Sequence, residues 1–159
     1  MIAKDTTTTK VTVWMVEDNE IFANRMRRLI NAENDLVCAH LFTCAEDLFG
    51  KLNSTTERPD LLLLDLGLPG RDGLEILGDV RGMLPGLKVL VLTVFDDRGK
   101  VYRAICSGAA GYLLKSDDPD EILAGIRVVM DGATAMSNPI AKMILDRWKD
   151  YGAEATAPG

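Results

Sequence analysis

The sequence predicts a doubly wound α/β domain, a five-stranded parallel sheet with strand order 2-1-3-4-5 and helices on both faces. Three observations predict it. Short apolar runs alternate five times with segments whose apolar residues recur at helical spacing. One run, Leu61-Leu62-Leu63-Leu64, is unbroken and bounded by turn residues, as a strand buried on both faces requires. Polar, chemistry-bearing residues stand directly after the runs, at the sheet edge where open α/β folds bind ligands.

The elements follow in order. Residues 1–9, with Thr6-Thr7-Thr8-Thr9, read as a disordered lead-in. Val11 to Val16 is β-branched and aromatic, hence a strand, and it ends in Glu17-Asp18-Asn19. Asp18 or Asn19 caps a helix with Phe22, Met26, Leu29 and Ile30 on one side. Leu36 to Phe42 is the second strand. Thr43 or Cys44 then opens a helix that turns Ala45, Leu48, Phe49 and Leu52 inward. After Leu61–Leu64 and its turn, Asp72 or Gly73 starts a helix facing the core with Leu74, Leu77, Val80 and Met83 or Leu84. Leu87 to Leu92 is the fourth strand, ending at Thr93, and a helix from about Asp97 to Ser107 is closed by Gly108. Ala110 to Leu114 is the fifth strand, ending at Lys115. Asp118-Pro119 begins the fifth helix, with Ile122, Leu123, Ile126, Val129 and Met130 inward. An extra C-terminal helix starts at Ser137-Asn138-Pro139 and carries Ile140, Ile144 and Trp148 at i, i+4 and i+8. Tyr151 to Gly159 reads as a linker or fraying end. The helix either closes the core or acts as a connector, and the small polar tail favours the connector. The expected organisation is thus a domain over residues 10–132 and a connector helix with linker tail over 133–159.

Composition bounds the function. A length of 159 residues, 47% of them hydrophobic, supports one ordinary core. The net charge of −6 argues against a general nucleic-acid surface or an electrostatic membrane anchor. Met1 to Lys10 lacks the apolar core of a signal peptide, and no apolar run approaches the ~20 residues needed to span a bilayer, so a cytoplasmic location is expected. Cys38, Cys44 and Cys106 have no metal-ligand spacing and read as free thiols in a reducing compartment. His40 is the only histidine, which excludes a histidine pair and leaves it as a structural residue of a strand.

In the order 2-1-3-4-5, the ends of strands 1, 3, 4 and 5 converge on one crevice. It would hold Glu17, Asp18 and Asp65, the Thr93 hydroxyl and the Lys115 ammonium. Three carboxylates repel one another unless a cation joins them. Hard oxygen ligands with room for water suit Mg²⁺ and disfavour zinc. A carboxylate beside such an ion can attack phosphorus and become an acyl phosphate, while Lys115 and Thr93 bind phosphoryl oxygens. The crevice reads as a phosphoryl acceptor.

These residues resemble the receiver domains of bacterial two-component response regulators, which have a flavodoxin-like fold. The resemblance spans about Thr9 to Gly132. The stretches Asp65-Leu66-Gly67-Leu68-Pro69-Gly70-Arg71-Asp72-Gly73-Leu74-Glu75 and Gly108-Ala109-Ala110-Gly111-Tyr112-Leu113-Leu114-Lys115 look most like the NarL/FixJ (LuxR-type) subfamily. The resemblance implies that Asp65 is the phosphoacceptor. It implies that Glu17, Asp18, Asp65 and the Gly67 carbonyl hold Mg²⁺, that Thr93 and Lys115 bind the phosphoryl group, and that Thr93 and Tyr112 form a switch. The partner it implies is a sensor histidine kinase, with homodimerisation on phosphorylation as an expected consequence. DNA would be contacted only through a C-terminal effector domain, and nothing after Gly132 resembles its helix-turn-helix. Val94 stands after Thr93 where many receivers have a smaller residue, so access to the site is expected to be narrower. Tyr112 is expected to turn inward when Thr93 moves toward the phosphoryl group, a coupling typically worth ~1–3 kcal/mol.

Other readings fare worse. An aspartyl-nucleophile phosphohydrolase of the haloacid dehalogenase type has a second Asp two residues after the first, where this chain has Gly67. A flavin-binding protein would need a phosphate loop after strand 1, where Glu17-Asp18 would repel phosphate. A stand-alone receiver acting by protein contact is the alternative to a transcription-factor fragment.

Overall fold

The computed structural model describes residues 9–94 and 97–156, with side chains described through residue 150. The lead-in expected over 1–9 lies outside the described residues except for Thr9, as does the last part of the tail, 157–159. The elements are β1 (Val11–Val16), α1 (Glu20–Asn31), β2 (Leu36–Phe42), α2 (Ala45–Ser54), β3 (Leu61–Asp65), α3 (Gly73–Met83), β4 (Lys88–Thr93), α4 (Arg98–Cys106), β5 (Gly111–Leu114), α5 (Pro119–Met130), β6 (Ala135–Met136) and α6 (Asn138–Thr156).

The sheet is parallel, with order β2-β1-β3-β4-β5-β6. The five expected strands stand in the expected order. The sixth is a correction: Ala135–Met136 pairs with Gly111 and Tyr112 beyond the predicted edge. Two residues are too few for a periodic signal, so only tertiary packing reveals that strand.

Strand alternation divides the core in two. Val13, Met15, Leu61, Leu63, Leu90, Leu92 and Leu113 face α1 and α5, where they meet Met26, Ile30, Ile122 and Ile126. Trp14, Val16, Leu62, Leu64, Val89, Val91 and Tyr112 face the other way, against residues of α2, α3, α4 and α6. All five residues of β3 are buried, because helices cover both of its faces.

Several expected helix faces shift. On α3 the buried set is Gly73, Ile76, Leu77 and Val80, while Met83 is 45% exposed. On α6 the expected stripe holds at Ile140, which is buried, and at Ile144, which packs against the core; Met143 joins them, and Trp148 is 74% exposed. The first turns of α6 therefore close the core, and the helix continues through Thr156 rather than ending in a linker at Tyr151. Met143 at i+3 is as close to the Ile140 stripe as Ile144 at i+4, and spacing alone did not separate them. His40 lies on β2, its ring edge-to-face with Trp14 at 5.0 Å and its Nε2 3.1 Å from Glu57.

Candidate functional site

The carboxyl ends of β1, β3 and β5 bring three charged side chains to one face of the sheet. Glu17 continues the alternation of Val13 and Met15, Asp65 that of Leu61 and Leu63, and Lys115 that of Leu113, so all three lie on the α1/α5 side. Glu17 and Asp65 are buried, 1% and 5% exposed. Lys115 Nζ lies 2.6 Å from Glu17 Oε1 and 3.0 Å from Asp65 Oδ2. The opposite oxygen of each carboxylate accepts a main-chain N–H: Asn19 N donates to Glu17 Oε2 at 2.9 Å, and Gly67 N donates to Asp65 Oδ1 at 2.8 Å.

Burial pushes the Glu17 carboxyl up to about 7, with Lys115 and the Asn19 N–H pulling the other way and the Asp65 charge adding to the rise. Burial pulls the Lys115 ammonium down, but its bonds to Glu17 and Asp65 outweigh that and leave its pKa raised. It therefore stays charged between its two partners.

The donor set fits a hard cation. One carboxylate oxygen from each of Glu17, Asp18 and Asp65 lies within 4.8 Å of the others, with Asp18 at the solvent side. Glu17 Oε1 is fully buried and makes no aligned hydrogen bond, its contact with Lys115 being ionic. Its Lys115 contact aside, that oxygen keeps lone-pair capacity that a cation could take up. Gly67, the fourth expected ligand, follows two residues after Asp65. A Cβ there would sit 3.5 Å from Asp65 Oδ1, an ordinary contact, so space alone does not require glycine. Glycine is required at Gly73, where a Cβ would lie 2.7 Å from Leu66 Cα and from Leu66 O. That close approach fixes the start of α3 against the loop that carries Gly67.

Thr93 and Tyr112 are on the other face. Thr93 pairs with Leu114 and continues the alternation of Val89 and Val91, which puts it on the face of Tyr112, two residues before Leu114. Thr93 is 6% exposed. Tyr112 is buried, and its hydroxyl lies 2.9 Å from Ala104 O and 3.0 Å from Ile105 O at the end of α4. Burial raises its hydroxyl pKa to about 12, so it remains a donor. Two further contacts hold α4. Arg81 Nη1 donates to Ser107 O at 2.5 Å, and the Arg147 guanidinium of α6 stacks over the Tyr102 ring at 4.3 Å. Val94 is 62% exposed beside Thr93, so it forms part of the rim.

The sequence reading placed Phe22 in the helix core and missed its place at the site: Lys115 Nζ lies 5.3 Å from the centroid of its ring. Helical spacing marked Phe22 as inward, but only the tertiary fold shows that inward at this turn means toward Lys115. Among the described residues no helix is long and apolar enough to cross a membrane.

The family model for the response regulator receiver domain matches residues 13–127. The chain is 30% identical over 136 residues to an uncharacterized transcriptional regulatory protein, YxjL, of Bacillus subtilis, covering 86% of this chain and 62% of that one. It is also 30% identical over 139 residues to a nitrate/nitrite response regulator protein homolog of Haemophilus influenzae, covering 87% and 65%. The chain thus spans less than two thirds of the length of these relatives. Its fold matches the crystal structure of a LuxR-family two-component response regulator from Aurantimonas, with TM-score 0.79 and 29% identity over 87% of this chain and 98% of that one. With the family's model over most of its length, and an acidic crevice with its lysine at the strand ends, the chain belongs to the response regulator receiver domains.

Proposed function

We propose that this chain is a phosphoacceptor in a two-component pathway and that Asp65 takes the phosphoryl group from a sensor histidine kinase. The observation that carries the reading is the Lys115 ammonium shared between the buried carboxylates of Glu17 and Asp65. A structural ion pair needs one carboxylate; two, with Asp18 beside them, leave excess negative charge that a further cation would offset.

Glu17, Asp18, Asp65 and the Gly67 carbonyl would hold Mg²⁺, which when bound neutralises charge on the incoming phosphoryl oxygens. An Asp65 carboxylate oxygen attacks phosphorus, the P–N bond to the kinase histidine breaks, and the imidazole leaves with the electron pair. The product is an acyl phosphate on Asp65. Lys115 follows the new charge onto a phosphoryl oxygen, and the Thr93 hydroxyl donates to another. Because Thr93 lies on the face of Tyr112, its displacement is felt by the ring whose hydroxyl holds the end of α4. The phosphoryl group ends on the protein itself, so the chain acts as a phosphoacceptor and not as a turnover enzyme. The output we propose is homodimerisation and control of a DNA-binding effector domain reached through α6, in keeping with the transcriptional regulatory name of one longer relative.

Incubation with acetyl phosphate and Mg²⁺, read by intact mass, tests the reading. The expected result is a Mg²⁺-dependent phosphoryl adduct that is absent from Asp65→Asn, whose circular dichroism is unchanged. An adduct of equal yield in Asp65→Asn, or none in the wild type, overturns it.

A further inference from the structure

Lys115 has three N–H donors on a flexible stem; one bonds Asp65, and the ammonium also pairs ionically with Glu17. The third side of the ammonium is covered by the Phe22 ring, 5.3 Å from Nζ to centroid and inside the ~6 Å range of a cation–π contact. Phe22 is itself fixed. Its N–H donates to the Asn19 side chain at 3.1 Å, which caps α1, and Asn19 N donates to Glu17 Oε2 at 2.9 Å. The contacts therefore form a closed loop: Glu17 to Asn19, Asn19 to Phe22, Phe22 to Lys115, and Lys115 back to Glu17.

We infer that Phe22 is a positioning residue for phosphoryl acceptance, its ring holding the Lys115 ammonium over the crevice. The choice of a ring matters. A third carboxylate would hold the ammonium harder but would compete with the phosphoryl oxygens for it. A methylene side chain would give no attraction. A π face attracts the cation without using a hydrogen-bond donor, so Lys115 stays in place and free to bond the incoming group. The side chain of Lys115 is 16% exposed, so water weakens the contact only in part. This inference rests on the proposed role of Asp65 for its kinetic consequence, but the placement of Lys115 is testable without it.

The test compares wild type, Phe22→Leu, which keeps an apolar side chain and loses the ring, and Phe22→Tyr, which keeps the ring. The probe is acetyl phosphate with Mg²⁺, followed by intact mass. The metal-free proteins are also examined by NMR at the Lys115 ε-methylene, which the ring current should displace upfield. Phe22→Leu is expected to lose the upfield displacement and to take up phosphate about two- to fivefold more slowly, and Phe22→Tyr to restore both. An unchanged Lys115 signal in Phe22→Leu overturns the inference, and so does a Phe22→Tyr protein as slow as Phe22→Leu. If the wild type forms no adduct, the phosphoacceptor reading fails, and the Lys115 signal alone then decides whether the ring holds the ammonium.

Discussion

The acidic crevice and the end of α4 occupy opposite faces of one sheet and are held by different kinds of contact. In the crevice, Glu17 and Asp65 stand at strand ends, and each is anchored by a main-chain N–H from the residue two positions on. The loop after β3 is fixed by backbone packed on backbone, Gly73 against Leu66. At α4, three side chains from three elements do the holding: Tyr112 from β5, Arg81 from α3 and Arg147 from α6. Each crevice carboxylate is buried and held twice, by its main-chain N–H and by the shared Lys115 ammonium, so neither swings away alone. Side-chain anchors release with one rotamer change. If Asp65 accepts a phosphoryl group as proposed, the chemistry lies where contacts are shared and buried, and the response lies where single side chains can let go.

Lys115→Met should have the largest effect. It strips the cation from two buried carboxylates, and we expect it to lose about 3 kcal/mol in urea unfolding at neutral pH without metal. Added Mg²⁺ should recover part of the loss, because the ion replaces the missing charge. A variant as stable as wild type would mean that the carboxylates do not depend on Lys115.

Gly73→Ala comes next. A Cβ 2.7 Å from the Leu66 backbone has no flexible neighbour to push aside, so we expect a cost of about 2 kcal/mol and slower phosphoryl uptake as the Gly67 loop shifts. Unfolding and intact-mass time courses together check it. A change in stability alone would show that the loop's position is not set by this contact.

Tyr112→Phe sharpens the other side of the comparison. It removes the hydroxyl from the Ala104 and Ile105 carbonyls while keeping the ring, at about 1 kcal/mol. Amide exchange should quicken at the end of α4, and the initial rate of phosphoryl uptake should stay as in wild type. A slowed uptake would show that the two faces are not separable in this way.

The smallest effect belongs to a surface pair away from both regions. Arg127 donates to both carboxylate oxygens of Asp35, each at 2.8 Å, and these bonds hold the Asp35 carboxyl below its ordinary value. A lowered carboxylate pKa stabilises the fold above the unfolded-state pKa of about 3.9, and the gain is lost as pH falls through the lower folded value. Arg127→Gln should therefore be slightly less stable than wild type at pH 7, and the gap should close in strong acid and shrink with salt. A gap that persisted in strong acid would assign Arg127 a packing role instead.

The sequence by itself determined the five strand–helix units and their order, because apolar alternation and turn residues act locally and are strong on a fully buried strand such as Leu61–Leu64. It also located the residues of the crevice, since strand ends in a parallel sheet must lie at one edge. It did not determine which face each residue takes at the strand ends. Glu17, Asp65 and Lys115 fall on one side and Thr93 and Tyr112 on the other because of pairing register, which a one-residue slip would reverse. Tertiary structure alone also decided that β6 extends the sheet, that Met143 enters the core while Trp148 stays out, that Tyr112 sits against α4, and that Phe22 covers Lys115. Each of these joins segments distant in the chain, and helical or strand periodicity records only whether a side chain is buried, not which partner buries it.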